Sequence, residues 1–258
     1  MATATLGGLI KDHRLKKRLS QLEVSLRIGW KDTTRLSKIE QGRVGKPTRA
    51  TIEKIMHALA LTQQEKGEFL YVGGYLPTDE EVKKVVKELC PRVDAWQFSA
   101  YIMDFSWRIL FANTANLKLF NSPPSMKKYY IEHKPNALAF PFLLRESAAS
   151  ITIEKGEDAK NLKPFMVAQI AAFKTETHMF QNEAWYKKLV QSLMKYEDFR
   201  TLWPKISQKD YHKKLLDYEY KRITSIRNGK KRSEDFHIFT ARLINDPRFQ
   251  IVFYYPAI

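Results

Sequence analysis

A single cysteine, Cys90, stands in a chain of 258 residues. One thiol cannot form a disulfide within the chain or supply a cysteine-based metal site, and such low usage fits a reducing compartment. Cytoplasmic placement is therefore the expectation. Long apolar runs are also missing. A bilayer-spanning helix needs about 18 or more consecutive apolar residues. One of the longest runs here, Asn136–Leu144, is short and contains Pro141. The opening MATATLGGLI has no basic segment followed by a long apolar one, so neither a signal peptide nor a membrane span is expected. The common catalytic signatures are absent: no G-x-S-x-G, no H-E-x-x-H, no C-x-x-C, no phosphate loop and no dinucleotide fingerprint. The six histidines show no metal-ligand spacing. The expectation is a protein that is not an enzyme, with no metal and no cofactor.

Positive charge and aromatic rings are plentiful. Lys and Arg outnumber Asp and Glu by 44 to 28, for a net charge of +16. Such a surplus attracts polyanions, nucleic acid first. It is uneven: residues 1–77 hold 14 basic and 7 acidic side chains, about twice the excess per residue of the remainder. Hydrophobic residues make up 44% of the chain, with 15 Phe, 12 Tyr and 5 Trp, which excludes a disordered chain.

Residues 6–77 read as five short helices. Leu6, Leu9, Ile10 and His13 have helical spacing. Ser20-Gln21-Leu22-Glu23 is a capping box that opens a second helix to about Ile28, stopped at Gly29. Asp32 opens a third through Gln41, stopped by Gly42. Thr48 caps a fourth, and the fifth runs Gln63–Val72 before Gly73-Gly74. A charged connecting helix over 78–90, ended by Pro91, follows. Phe98–Met103 and Trp107–Ala112 read as a hairpin, then comes a short helix over Asn113–Phe120. Segments from Asn136 to Tyr220 are mostly helical. Phe236–Ile244 and Phe249–Tyr255 read as a closing antiparallel pair, and Lys221–Arg232 carries no clear signal. The expected fold class is α+β, divided as 1–77, a linker over 78–94, and 95–258.

Reading DNA requires a short helix in the major groove with small polar or basic side chains near its start. In the third helix Leu36 and Ile39 would pack inward, leaving Thr33, Thr34, Ser37, Lys38 and Gln41 outward. Threonine pairs with base edges and thymine methyls, and Lys38 suits guanine or phosphate. Gln21, opening the preceding helix, can meet a phosphate with its side chain and its helix-terminal amide. Arg35, Arg43 and Lys46 are candidates for the flanking backbone. The alternative is a five-helix protein-interaction module with a solvated charged face.

The stretches Leu19-Ser20-Gln21-Leu22-Glu23 and Leu36-Ser37-Lys38-Ile39-Glu40-Gln41-Gly42 resemble the Cro/repressor-type helix-turn-helix of the XRE family. The resemblance covers residues 6–77. It implies a DNA-binding transcriptional regulator, with Gln21 on phosphate and Thr33, Thr34 and Lys38 on bases. It also implies that Glu40 pairs with Arg14 in a structural role. The span from Gly29 to Gly42 is one residue longer than the commonest form, which lengthens the turn at Trp30-Lys31 and leaves the start of the third helix open by a residue.

In the second domain the run Phe98–Phe120 resembles the opening of a PAS-like domain. Ala184–Trp203 and Thr240–Pro256 are similar to the MmyB-like domain that often follows an XRE-type domain. This resemblance implies an antiparallel sheet with covering helices around an apolar pocket, holding a fatty acid or similar lipid. Tyr101, Met103, Phe111, Phe140, Phe142, Phe165, Ile170, Trp185, Leu189 and Phe253 are the candidate lining, although each taken singly suits plain core as well. The expected partners are double-stranded DNA, an apolar small molecule and a second copy of the chain.

Overall fold

The computed structural model describes residues 5–120, 122–142, 157–207, 221–227 and 230–257, with side chains described outside 157–165 and 221–234. The chain divides into two compact units. Residues 1–76 with 242–248 form one, and residues 77–241 with 249–258 form the other.

The first unit is helical: α1 (Leu6–Lys16), α2 (Gln21–Ile28), α3 (Thr34–Glu40), α4 (Arg49–Ala58) and α5 (Gln63–Val72). Local chemistry sets both ends of most of these helices. Ser20 and Thr62 each open a capping box with a glutamate three residues on, while Thr5 and Thr48 cap α1 and α4. All five helices close on a left-handed residue followed by a bond back to the carbonyl five residues earlier. That residue is a glycine after α2, α3 and α5 (Gly29, Gly42, Gly74), and Arg18 and Ala60 take it after α1 and α4. Ile10, Val24, Leu36, Ile52, Ile55, Leu59 and Phe69 form the buried centre. Segment Arg242–Arg248 completes the unit: Arg242 Nη1 donates to the Tyr71 hydroxyl at 2.6 Å.

The second unit starts with α6 (Asp79–Asp94), capped by Thr78 with Glu81. The expected stop at Pro91 is incorrect, because the helix runs one turn past it. Pro91 lies in the last turn at an exposed position, so only one intrahelical bond is forfeited there. Strands β1 (Ala100–Asp104) and β2 (Ile109–Ala112) form the hairpin, followed by α7 (Thr114–Leu119) and α8 (Met126–His133). Helices α9 (Glu157–Glu176), α10 (Ala184–Leu193) and α11 (Glu197–Leu202) precede β3 (Lys221–Arg227), β4 (Lys230–Arg242) and β5 (Phe249–Pro256). The five strands lie in the order β2-β1-β5-β4-β3, and β1 is antiparallel to both β2 and β5. Thus Lys221–Arg232, which carried no clear signal, contributes β3 and the start of β4, in antiparallel register from Lys221↔Phe236 to Arg227↔Lys230.

Two buried polar residues fix this topology. Asp104 accepts from the main chain and hydroxyl of Ser106 and from Arg108, closing the β1–β2 turn. Asn113 caps α7, accepts from Ala100 N, and donates to the carbonyls of Val93, Trp96 and Phe98. One amide therefore ties the end of α6, the entry to β1 and the start of α7. The sheet is packed on both faces. Met103, Ala112, Val252 and Tyr254 join the helix-side core with Ile170, Phe173 and Phe199. Ile102, opposite Phe111 in register, faces the other way, and α6 runs against β1 and β2.

Candidate nucleic-acid interface

The recognition surface is built from a buried charge pair outward. Arg14 Nε donates to Glu40 Oε1 at 2.7 Å and its Nη2 to Oε2 at 2.9 Å, a bidentate pair at the base of α3. Arg14 Nη1 also donates to the Leu19 carbonyl at 3.0 Å, which fixes the turn into α2. The hydrogen bond that it donates to Glu40 holds the Arg14 guanidinium above its ordinary pKa, against the opposing effect of burial. Gln21 Nε2 donates to Glu40 Oε2 at 2.8 Å, so one carboxylate fastens α1, α2 and α3. The amide that the sequence assigned to phosphate is thus turned onto Glu40.

Leu36 and Ile39 are buried, and they turn the other side of α3 outward. Thr34, Arg35, Lys38 and Gln41 are exposed, while Thr33 and Ser37 are half-buried. Thr33 is the residue before the first helical turn and makes no side-chain cap; Asp32 instead accepts from Thr34 N at 2.7 Å. The start of α3 left open by the longer turn is thereby placed at Thr34. In that turn Arg35 lies over the Trp30 ring, 4.8 Å from its centroid, which steadies the guanidinium at the helix start. Arg43, just past the Gly42 closure, is exposed. Lys46 is engaged within the unit: its Nζ donates to the Gly74 carbonyl at 3.1 Å and lies 4.2 Å from the Tyr75 ring centroid. It clamps the loop before α4 to the end of α5.

Gly7 brings α1 close to α3. A Cβ built there would lie 2.4 Å from the Ile39 carbonyl oxygen and 2.8 Å from that of Glu40. Only hydrogen fits, so Gly7 sets how closely α1 supports the recognition helix. The sequence offers no signal for this contact.

The candidate ligand residues do not converge on one space. Met103, Phe142 and Ile170 are in the helix-side core of the second unit, with Tyr101, Phe140, Trp185 and Leu189 packed against it. Phe111 and Phe253 lie on the opposite face of the sheet, since their register partners are Ile102 and Ala100. The Phe165 side chain lies outside the described residues. A cavity of about 740 Å³, open to solvent, does exist in this unit, but α9, α10 and the segment after α11 form it. None of the nine expected residues whose side chains are described lines it. Strand alternation sends neighbouring aromatics to opposite faces, and the helix-side rings pack on one another. No helix among the described residues is long and apolar enough to cross a membrane, and no group of three His, Cys, Asp or Glu among them could hold a metal.

Two short helices in tandem, the second presented outward by a buried ion pair beneath it, define a helix-turn-helix, a class of DNA-binding domain. Residues 5–69 match the family model of a helix-turn-helix domain. The match ends before the second unit, and no curated protein matches the chain.

Proposed function

We propose that this protein is a sequence-specific regulator of transcription that binds operator DNA as a cytoplasmic homodimer of the XRE type. We further propose that its second unit is a PAS-like, MmyB-like sensor of an apolar acid, a fatty acid in the case the resemblance implies. The observation that carries the DNA-binding reading is the outward row Thr34, Arg35 and Lys38 on a helix whose base is pinned by Arg14 and Glu40. Thr33, Thr34 and Lys38 are assigned to bases, and Arg35, Arg43 and the main-chain amide of Gln21 at the start of α2 to the backbone. Lys46 contributes charge from its clamped position. Ligand binding alters operator affinity only as far as it favours one dimer arrangement over another.

Selection on random duplexes should return a two-fold site with half-sites about 10 base pairs apart, or a multiple of that. Five or six phosphate contacts give a log–log salt slope of about −5. Lys38→Ala should relax preference at one position at a cost of about 1–3 kcal/mol. Salt-independent binding with no enriched sequence would refute this reading. That outcome favours the protein-interaction alternative, which has one observation of its own: Leu22 and Leu26, one turn apart on α2, are 49% and 59% exposed.

A further inference from the structure

An antiparallel sheet with one face on a core normally turns polar side chains to solvent on the other. Strand β5 does not. Val252 and Tyr254 join the helix-side core, so the residues pointing the other way are Ile251, Phe253 and Tyr255. Strand β4 repeats the pattern: Phe236 and Ile238 pack on the helix side, which turns His237, Phe239 and Ala241 outward. The two rows lie side by side. Ala257 N donates to the Asp235 carbonyl at 2.7 Å, and counting back along the antiparallel pair sets Tyr255 beside His237 and Phe253 beside Phe239.

Trp96 and Phe98, between α6 and β1, extend this surface. Trp96 stands edge-on to Phe253 with ring centroids 5.6 Å apart, and Phe98 edge-on to Tyr255 at 5.2 Å. Helix α6 lies against β1 and β2, and the rings over β5 and β4 reach solvent. Phe239 is 59% exposed, and Trp96 and Tyr255 are each 42% exposed. A contiguous exposed apolar patch of this kind marks an interaction surface.

Charge selects the partner. These eight residues include no lysine, arginine, aspartate or glutamate, in a chain of which 28% is charged. The first charge on this side of β4 is an acid, Asp235, at the margin. A nucleic acid needs cations on the face it meets, and an acidic protein needs them as well. A second copy of the chain also carries +16, and approaches most readily through a surface without charge. The cores of homodimer interfaces have this make-up, depleted in charge and enriched in Trp, Tyr and Phe. A two-fold contact asks one patch to fit itself, and rings that already pack edge-on can interleave with their own copies. We propose that the outer face of β4 and β5, with Trp96 and Phe98, is the surface through which two copies of the chain pair. This rests on the homodimer half of the proposed function and names its interface.

Sedimentation velocity on the full chain without DNA, across micromolar concentrations, tests it. The wild type should sediment with the mass of two chains. Phe239→Glu and Tyr255→Glu each put a carboxylate on the face at an exposed position, where folding tolerates change. Each also lowers the net positive charge, so weaker pairing cannot come from added overall repulsion. Each should raise the dimer dissociation constant at least about ten-fold, with far-UV circular dichroism unchanged. Phe239→Leu keeps the surface apolar and should keep the wild-type mass. If Phe239→Glu does not fold, Tyr255→Glu carries the test. Dimers that persist in the folded glutamate variants overturn this surface and leave the homodimer reading standing. A monomeric wild type also overturns the surface; operator selection then decides the reading, which stands on a two-fold site and falls on a single half-site. A monomer that binds single-stranded oligonucleotides, and loses them in Tyr255→Glu, would assign the face to nucleic acid and overturn the proposal.

Discussion

Glu40 shows how much one side chain does here. Its two oxygens accept three hydrogen bonds from α1 and α2, and the residue is 7% exposed. Removing one partner of a buried pair strands the other charge, at about 3–5 kcal/mol. Glu40→Ala should therefore lower the melting temperature of the helical unit by more than about 10 °C, read by circular dichroism, since 1 kcal/mol is worth about 4–8 °C in a unit of this size. Lys38→Ala, at an exposed position, should leave it within about 2 °C, in keeping with the small effects of surface substitutions. If Glu40→Ala melts like the wild type but alters operator choice, Glu40 belongs to recognition and not to the scaffold.

At the level of elements, close approach and helix closure are separable. Gly7→Ala places a methyl against the carbonyls that end α3. The main chain cannot give way as a flexible side chain would, so α1 must shift. A cost of about 1–3 kcal/mol is expected, together with weaker operator binding, because α3 moves with it. Ala60 is the opposite case: it holds φ +45° after α4, a conformation that suits glycine. Ala60→Gly should stabilise the unit by about 0.5–1 kcal/mol, measured by denaturant titration, with no effect on operator selection. Stabilisation by Gly7→Ala, or a marked loss with Ala60→Gly, would contradict the packing described.

Across the whole molecule, acid acts in two ways. Hydrogen bonds from the Ser20, Thr34 and Thr62 main-chain amides hold Glu23, Asp32 and Glu65 below the usual carboxylate range. A depressed folded value means that this stability is present above the unfolded pKa and is lost as pH falls through the folded one. Protonation also raises a net charge that is already +16, which adds self-repulsion. The melting temperature should be nearly flat from pH 7 to about 5 and fall below about 4.5, where free carboxylates protonate. A Glu23→Gln, Glu65→Gln chain should melt lower at pH 7 and show a shallower acid decline. An equally steep decline would show that other carboxylates carry the effect.

What the sequence determined by itself is local and close in the chain. Ser20 with Glu23, Thr48, Gly29 and Gly42 set helix ends by bonds that reach only a few residues, so their spacing was legible and placed Lys38 on the outward side of α3. The hairpin of Phe98–Met103 with Trp107–Ala112 and the short helix after it were legible for the same reason. The β3–β4 pair was not read, because its charged residues obscure alternation even though Asn228-Gly229, a hairpin signal, lies between them. Tertiary structure alone decided the rest. That Gln21 turns onto Glu40 and Lys46 onto Gly74 depends on carbonyls and carboxylates 19 and 28 residues away. That Phe111 and Phe253 part from Tyr101 and Met103 depends on strand register, which no single strand encodes. The cavity lies between α9, α10 and the segment after α11, and residues such as Tyr186 and Trp203 look in sequence like ordinary core. Whether an aromatic fills a core or borders a space is settled by its neighbours, and those come from the packing of distant segments.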